Sequence, residues 1–155
     1  MKTVTVQGRR IRLVVWDTVE QERYKTVSST SYKGCQGIIF CYAVNNRESF
    51  ERLDYWMGQV NQHGGKDACK ILVSTKCDLA DHVVTADEGR RKAEEWGVEF
   101  FETSTNLDLN VTQAFESLAT QIKVKYLDSK KNDDNNHNTT TLTNKEKAKE
   151  GGCCS

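Results

Sequence analysis

The stretch "GIIFCYAVNNRESFERLDYWMGQV" (residues 37–60) decides the fold class of this chain of 155 residues. Residues 37–44 form a continuous apolar run of strand length, which is typical of a strand buried on both faces of a parallel sheet. Asn45, with Glu48 three residues later, resembles a capping box that opens a helix. The apolar residues that follow share one helical face: Phe50, Leu53, Trp56, Met57 and Val60. A buried strand followed by an amphipathic helix indicates a β-α-β unit.

The same alternation continues on the C-terminal side of this stretch. "KILVST" (70–75) predicts a second apolar strand, and "VEFFETS" (98–104) predicts a third. Between them, Thr85 and Glu88 form a second capping box for a helix that is expected to end at Gly97. Strands that alternate with helices in this way predict a parallel sheet.

The two ends of the predicted domain complete this pattern. Residues 3–6 and 11–16 predict a β-hairpin around Gly8. Asn110 is expected to cap a last helix whose buried face carries Phe115, Leu118, Ala119 and Ile122. We therefore predict an α/β domain over residues 1–127, with a mostly parallel sheet and helices on both faces.

Composition excludes several classes of function. Lysine plus arginine number 22 and aspartate plus glutamate also number 22, so no net charge favours nucleic acid as a partner. The three histidines stand far apart, without the spacing of a transition-metal site. Residues 128–155 are rich in Asn, Thr and Lys and nearly free of apolar side chains, so we expect a disordered tail. That tail ends with the adjacent pair Cys153 and Cys154.

Polar residues follow the predicted strands where a parallel sheet binds its ligands. Asp78 can accept hydrogen bonds from N1–H and the amino group of guanine, the stem of Lys76 can lie across the ring, and the loop of Ser104 and Thr105 converges on the same place. Asp17 suits a magnesium contact through water, although an Asx turn is the commoner role of an aspartate at the end of a strand. Gln21 can orient an attacking water, or be an exposed loop residue.

Four segments resemble the Rab-type small GTPases of the Ras superfamily. "WDTVEQERYKTV" (16–27) resembles WDTAGQERF, and "SYKGCQGIIFCYAVNNRESF" (31–50) resembles YYRGAQGIILVYDVTNRESF. "STKCDL" (74–79) resembles GNKCDL, and "FFETST" (100–105) resembles FFETSAK. The resemblance covers nearly all of residues 3–126.

The resemblance implies an incomplete P-loop NTPase fold and a GTP-binding switch in vesicle traffic. It implies GTP or GDP with Mg²⁺ as ligands, and Rab-type effectors and regulators as partners. Gln21 is the implied catalytic residue, and Asp17 is the implied indirect contact to magnesium. The residues implied in nucleotide binding are Asp17, Thr75, Lys76, Asp78, Ser104 and Thr105.

The chain also departs from the family pattern. It contains no G-x-x-x-x-G-K-[ST] and begins where the family's second strand should begin, so we expect the central first strand, the phosphate loop and the first switch to be absent. The strands of residues 11–16 and 37–44 should then face a gap or pair with each other. Glu20 replaces a glycine that faces the γ-phosphate.

Three further departures fall around the guanine site and in the strand of residues 37–44. Thr75 replaces the asparagine of NKxD, Asn106 stands where the lysine of SAK would be, and Ala43 replaces the aspartate of YDV. Guanine binding and hydrolysis are therefore expected to be impaired.

The terminal "CCS" resembles the family's double prenylation signal. Two lipids on Cys153 and Cys154 satisfy the requirement for stable anchoring, so we expect contact with the prenylation machinery and a location on the cytoplasmic face of intracellular membranes, with a cytosolic pool. Two alternatives stay open. In the first, the chain is a nucleotide-free, membrane-tethered interaction module. In the second, it is a fragment with no independent role.

Overall fold

The computed structural model describes residues 1–16, 34–63 and 65–128. Its elements in chain order are β1 (Lys2–Val6), β2 (Arg9–Leu13), β3 (Gly37–Ala43), α1 (Arg47–Glu51), α2 (Leu53–Gln62), β4 (Cys69–Thr75), α3 (Ala86–Trp96), β5 (Glu99–Glu102) and α4 (Val111–Ile122), followed by a π-helical turn (Lys123–Asp128). No helix in these ranges is long and apolar enough to cross a membrane.

The parallel sheet has the order β3-β4-β5, so the predicted α/β class is confirmed. The central strand β4 contains Ile71 and Leu72, both 0% exposed. Leu72 belongs to a core that includes Phe40 and Leu53, whereas Ile71 packs in a second core with Leu118. Burial on both faces explains why β4 is a continuous apolar run. In β3, by contrast, Phe40 and Tyr42 are buried while Cys41 between them is exposed, so the expectation of burial on both faces is wrong for this strand.

The N-terminal strands form a separate antiparallel hairpin in which Lys2 is opposite Leu13. The predicted second strand of this hairpin is too long, because the observed strand ends at Leu13 and not at residue 16. Within the described ranges β2 and β3 do not pair, so of the two expected outcomes, a gap or mutual pairing, mutual pairing does not occur.

Helix α4 connects the hairpin to the parallel sheet. Ala119, 1% exposed, packs with Val4 and Val6 of β1, while Leu118 of the same helix packs against the residues of β4. Beyond α4, the buried amine of Lys123 donates to Gln7 Oε1 at 2.7 Å and to Asp128 Oδ2 at 2.9 Å. The hairpin is thus held by one helix and one polar cluster.

Of the three predicted helix starts, the first is one residue off, and Asn110 is the N-cap position as expected but without a side-chain cap. The first N-cap is Asn46 and not Asn45, because Asn46 Oδ1 accepts from Ser49 N at 3.1 Å while Ser49 Oγ donates to Asn46 O at 2.7 Å. Asn110 precedes α4 in a left-handed conformation (φ 54°) and makes no side-chain cap. Its amide instead donates to Glu102 O at 2.9 Å.

The predicted bounds of α3 are confirmed. The capping box of Thr85 and Glu88 is present, and Gly97 ends the helix at φ 65°. Glu88 also accepts from the Arg47 guanidinium at 2.7 and 3.3 Å, which fixes the start of α3 against α1. The hydrogen bonds from Arg47, first, and then from Thr85 lower the pKa of Glu88 to about 2.

A glycine lets α3 approach the sheet closely. A Cβ on Gly89 would lie 2.6 Å from Phe100 Cζ and would also collide with the Tyr42 hydroxyl. Within the described residues, the hydroxyls of Tyr42 and Ser74 are buried without a partner of hydrogen-bonding geometry. Burial raises the pKa of Tyr42 to about 12, despite the neighbouring Ser74.

Candidate functional site

The loops that follow β4 and β5 meet at the carboxyl edge of the parallel sheet. Thr103 N and Thr103 Oγ1 both donate to Ser74 O at 2.8 Å. Cys77 N donates to Thr103 O at 3.1 Å, which joins the first loop to the second. These bonds bring the predicted site residues of the two loops together, as expected for neighbouring parallel strands.

Asp78 is the centre of this loop pair. Ser104 Oγ donates to Asp78 Oδ1 at 2.6 Å, and Asn106 Nδ2 donates to Asp78 Oδ2 at 3.2 Å. The hydrogen bond from Ser104, helped by backbone bonding and by Asn106, lowers the pKa of Asp78. The group is therefore a carboxylate at neutral pH, and each of its two oxygens already holds one donor.

Ser104 is the rigid part of the site. Its side chain is 0% exposed, and its Oγ also accepts from Leu107 N at 3.1 Å. Its own backbone N–H donates to Leu109 O at 3.2 Å, so this N–H is not available to a ligand. In the described part of the chain, the next N–H, of Thr105, has no acceptor. Thr105 N–H is therefore one donor that this loop can offer to a ligand oxygen.

The two preceding residues of the first loop differ in their contacts. Lys76 is exposed and has a left-handed backbone (φ 60°), which turns the chain sharply after β4. Thr75 Oγ1 donates to Tyr42 O at 3.0 Å, so its hydroxyl joins β4 to β3. The proton of the Thr75 hydroxyl is therefore used between two strands of the sheet.

Four predicted functional residues lie outside the described residues: Asp17, Gln21, Cys153 and Cys154. Conversely, the sequence analysis treated Asn106 only as the loss of a lysine, whereas its amide contacts Asp78 directly. The sequence feature that could have indicated this contact is a side-chain hydrogen-bond donor two positions after Ser104. Whether that donor reaches the Asp78 carboxylate depends on the geometry of the loop.

The arrangement suits a ligand that presents two adjacent hydrogen-bond donors along one edge. A carboxylate accepts hydrogen bonds on both oxygens, and it can bind N1–H and the 2-amino group of guanine together. Thr105 N–H can donate to the guanine carbonyl. The exposed stem of Lys76 supplies an apolar surface for the ring. These residues fit a guanine base.

Comparisons with known proteins show the family of this chain. The Ras family profile matches residues 1–124. The chain is 34% identical over 155 residues to the Ras-related protein Rab-10 of Caenorhabditis elegans, which covers 99% of this chain and 77% of that protein. It is 38% identical over 130 residues to the GTP-binding protein ypt2 of Schizosaccharomyces pombe, covering 83% and 65%. It is 39% identical over 126 residues to the Ras-related protein Rab-13 of Mesocricetus auratus, covering 81% and 62%.

These matches define first the class and then the type of protein. The chain belongs to the Ras family, and within that family it is a small GTPase of the Rab type. The resemblance identified from the sequence is thereby confirmed. The chain spans 62% to 77% of the length of these three relatives.

Proposed function

We propose that this chain is a guanine-nucleotide-responsive switch protein of membrane traffic. The observation that carries the proposal is the carboxylate of Asp78, ionised and oriented by the buried hydroxyl of Ser104 at 2.6 Å. Asp78 reads the N1–H and 2-amino group of guanine, Thr105 N–H binds its carbonyl oxygen, and Lys76 covers the ring. Names of relatives such as "GTP-binding protein ypt2" support the same ligand class.

The phosphate chemistry proposed for this chain is weak. Asp17 would hold Mg²⁺ through water, Gln21 would orient the attacking water, and bound Mg²⁺ would supply the positive charge that neutralises the phosphates. Glu20 opposes this chemistry. At a separation of ~5 Å and an effective dielectric constant of ~20, a carboxylate repels each phosphate charge by about 3 kcal/mol. We therefore expect GTP hydrolysis to be slow or absent in this chain.

Membrane attachment is the second part of the proposal. Prenyl groups on Cys153 and Cys154 would hold the protein on the cytoplasmic face of intracellular membranes, where Rab-type effectors and regulators bind it. The test is fractionation of cells that express the full chain or its Cys153→Ser/Cys154→Ser variant. We expect the variant to move to the soluble fraction. An unchanged membrane fraction would refute the lipid anchor.

Guanine recognition is tested by calorimetric titration of the purified full chain with GDP. We expect binding of GDP that weakens at least about 10-fold in Asp78→Ala, because a charged acceptor is lost from two hydrogen bonds. The matched control is Asp81→Ala, which removes an exposed aspartate of the same loop. Equal GDP binding by Asp78→Ala and Asp81→Ala would contradict the proposed site.

A nucleotide-free interaction module is a second candidate function. It is favoured by the occupied state of both Asp78 oxygens and by the use of the Thr75 hydroxyl between two strands. For this candidate we expect no GDP binding at millimolar concentration, together with membrane attachment that depends on Cys153 and Cys154. Stoichiometric GDP in the purified protein would exclude it.

A further inference from the structure

We propose that the amino edge of the parallel sheet, together with the turn of the hairpin, docks onto an anionic lipid surface. The inference rests on the proposed membrane attachment, and it names the face of the domain that meets the membrane. Three segments form this basic surface: residues 7–10 of the hairpin turn, residues 65–70 at the start of β4, and the π-helical turn (Lys123–Asp128). Because β4 begins here and ends before Asp78, the basic surface lies at the opposite end of the sheet from the candidate guanine site.

The π-helical turn holds the three segments together. The hydroxyl of Tyr126 donates to Asp67 O at 2.8 Å, and the amine of Lys125 donates to the same oxygen. These two bonds join the turn to the loop before β4. On its other side, the Lys123 amine donates to Gln7 Oε1 at 2.7 Å, which joins the turn to the hairpin. The side chains of the three segments therefore share one end of the domain.

Positive charge dominates this basic surface. Although the whole chain carries 22 basic and 22 acidic residues, the three segments carry six basic residues, Arg9, Arg10, Lys66, Lys70, Lys123 and Lys125, against the two acidic residues Asp67 and Asp128. Burial lowers the pKa of Lys70, and repulsion from Lys125 lowers it further, by more than the attraction of Asp67 raises it. The like charges are thus held close together, and a negatively charged surface would relieve their repulsion.

The two aspartates neutralise only part of this charge. Asp128 lies 3.8 Å from Arg9 and accepts from the Lys123 amine at 2.9 Å, so it offsets the cations next to it. Arg10 and Lys66 are exposed, and in the described part of the chain neither forms an ion pair. A membrane can therefore contact these two side chains without breaking a contact that holds the fold.

Exposed apolar side chains favour a lipid surface over an acidic protein as the partner. Val124 is 54% exposed and Leu127 is 38% exposed, and both lie on the π-helical turn beside Lys125. Apolar and basic side chains that occur together are typical of segments that bind at a membrane interface. The chain also continues from this turn toward Cys153 and Cys154. A lipid anchor on those cysteines is therefore joined to the domain at the basic surface itself.

The expected effect follows from the number of cations that are removed. Each Lys or Arg near an anionic lipid surface strengthens binding about 5-fold. Arg10→Gln/Lys66→Gln should therefore weaken binding to anionic vesicles about 10- to 30-fold. Arg10→Lys/Lys66→Arg keeps both charges and should bind like the wild-type chain. This second variant separates the loss of charge from a disturbance of the local structure.

The experiment is co-sedimentation of the unlipidated full chain with phosphatidylcholine vesicles that contain about 30% phosphatidylserine, and with vesicles of phosphatidylcholine alone. The matched control is Arg90→Gln/Arg91→Gln, which removes the same charge from α3, on the other face of the sheet from α4. A loss of binding in Arg10→Gln/Lys66→Gln alone, seen only with phosphatidylserine, supports the proposal. Equal losses in both double variants, or no loss in either, overturn it.

The absence of wild-type binding to the anionic vesicles also overturns the proposal. Its failure differs from failure of the proposed lipid anchor. If Cys153→Ser/Cys154→Ser becomes soluble in cells but vesicle binding is independent of phosphatidylserine, the anchor stands and the docking surface is refuted. If that cysteine variant stays in the membrane fraction while vesicle binding requires Arg10 and Lys66, the anchor is refuted and the docking surface stands.

Discussion

Replacing Gly89 by alanine tests how closely α3 packs on the sheet. Alanine has a higher helix propensity, so the same change at an exposed helical site stabilises a protein by about 1 kcal/mol. At Gly89 the new methyl group would lie 2.6 Å from Phe100 Cζ and 2.8 Å from Phe100 Cε2, and it would collide with the Tyr42 hydroxyl. These neighbours are rigid rings on two strands of the sheet, so the helix itself must move.

The expected size of the effect follows from these two opposing terms. Overpacking of a well-packed core costs about 1–3 kcal/mol, and rigid neighbours favour the upper end of that range. After subtracting the gain in helix propensity, we expect Gly89→Ala to lower the free energy of unfolding by about 2 kcal/mol. For a chain of this size, that corresponds to a fall in Tm of about 4–8 °C.

The measurement is urea denaturation followed by circular dichroism, with Gly58→Ala as the matched control. Gly58 also lies inside a helix, but a Cβ there would meet nothing within 4 Å. We expect Gly58→Ala to raise the stability by about 0.5–1 kcal/mol. If Gly89→Ala were as stable as Gly58→Ala, the close packing of α3 on Tyr42 and Phe100 would be refuted.

Three further substitutions test other contacts. Tyr42→Phe should raise the free energy of unfolding at neutral pH by up to about 1 kcal/mol, because it removes a buried hydroxyl without a hydrogen-bond partner. It should also abolish the loss of stability that Tyr42 ionisation causes between pH about 10 and 12, and unchanged alkaline unfolding would contradict this. Glu88→Gln should lower the free energy of unfolding at pH 7, and it should reduce the further loss of stability as the pH falls from about 4.5 toward 2. The measurement is acid denaturation, with Glu94→Gln as the control. Identical profiles for the two variants would refute the role of the Arg47 contact. Lys123→Ala should speed amide exchange in the hairpin more than in β4, and uniform exchange rates would show that the hairpin does not depend on this amine.

The sequence predicts the elements whose formation depends on local pattern. The apolar run of β4 is predicted correctly because this strand is buried on two faces, and the capping box of Thr85 depends on residues only three positions apart. The pairing of Asp78 with Ser104 follows from parallel strands that end at one edge. Each of these predictions requires only short-range or strand-order information.

Longer-range geometry decides what the sequence alone does not predict. Two adjacent asparagines compete for the first cap, and Asn46 is selected because Ser49 Oγ closes back on Asn46 O and accepts from Ala43 N at 3.0 Å. The end of β2 is set by the register of β1, not by the apolar character of the residues after Leu13. Likewise, the contact of Asn106 with Asp78 depends on the path of a loop, which no periodicity encodes.

The hydrogen bond from Thr75 to Tyr42 O has a consequence for how this site can change over evolutionary time. A substitution of Thr75 by asparagine would restore the family's residue, but it would also remove the hydroxyl that joins β4 to β3. Whether Thr75→Asn is favourable therefore depends on whether ligand binding stabilises the protein enough to offset the lost hydrogen bond between β4 and β3. Thr75 therefore makes the order of mutations matter: asparagine is expected at this position only after another contact joins β4 to β3.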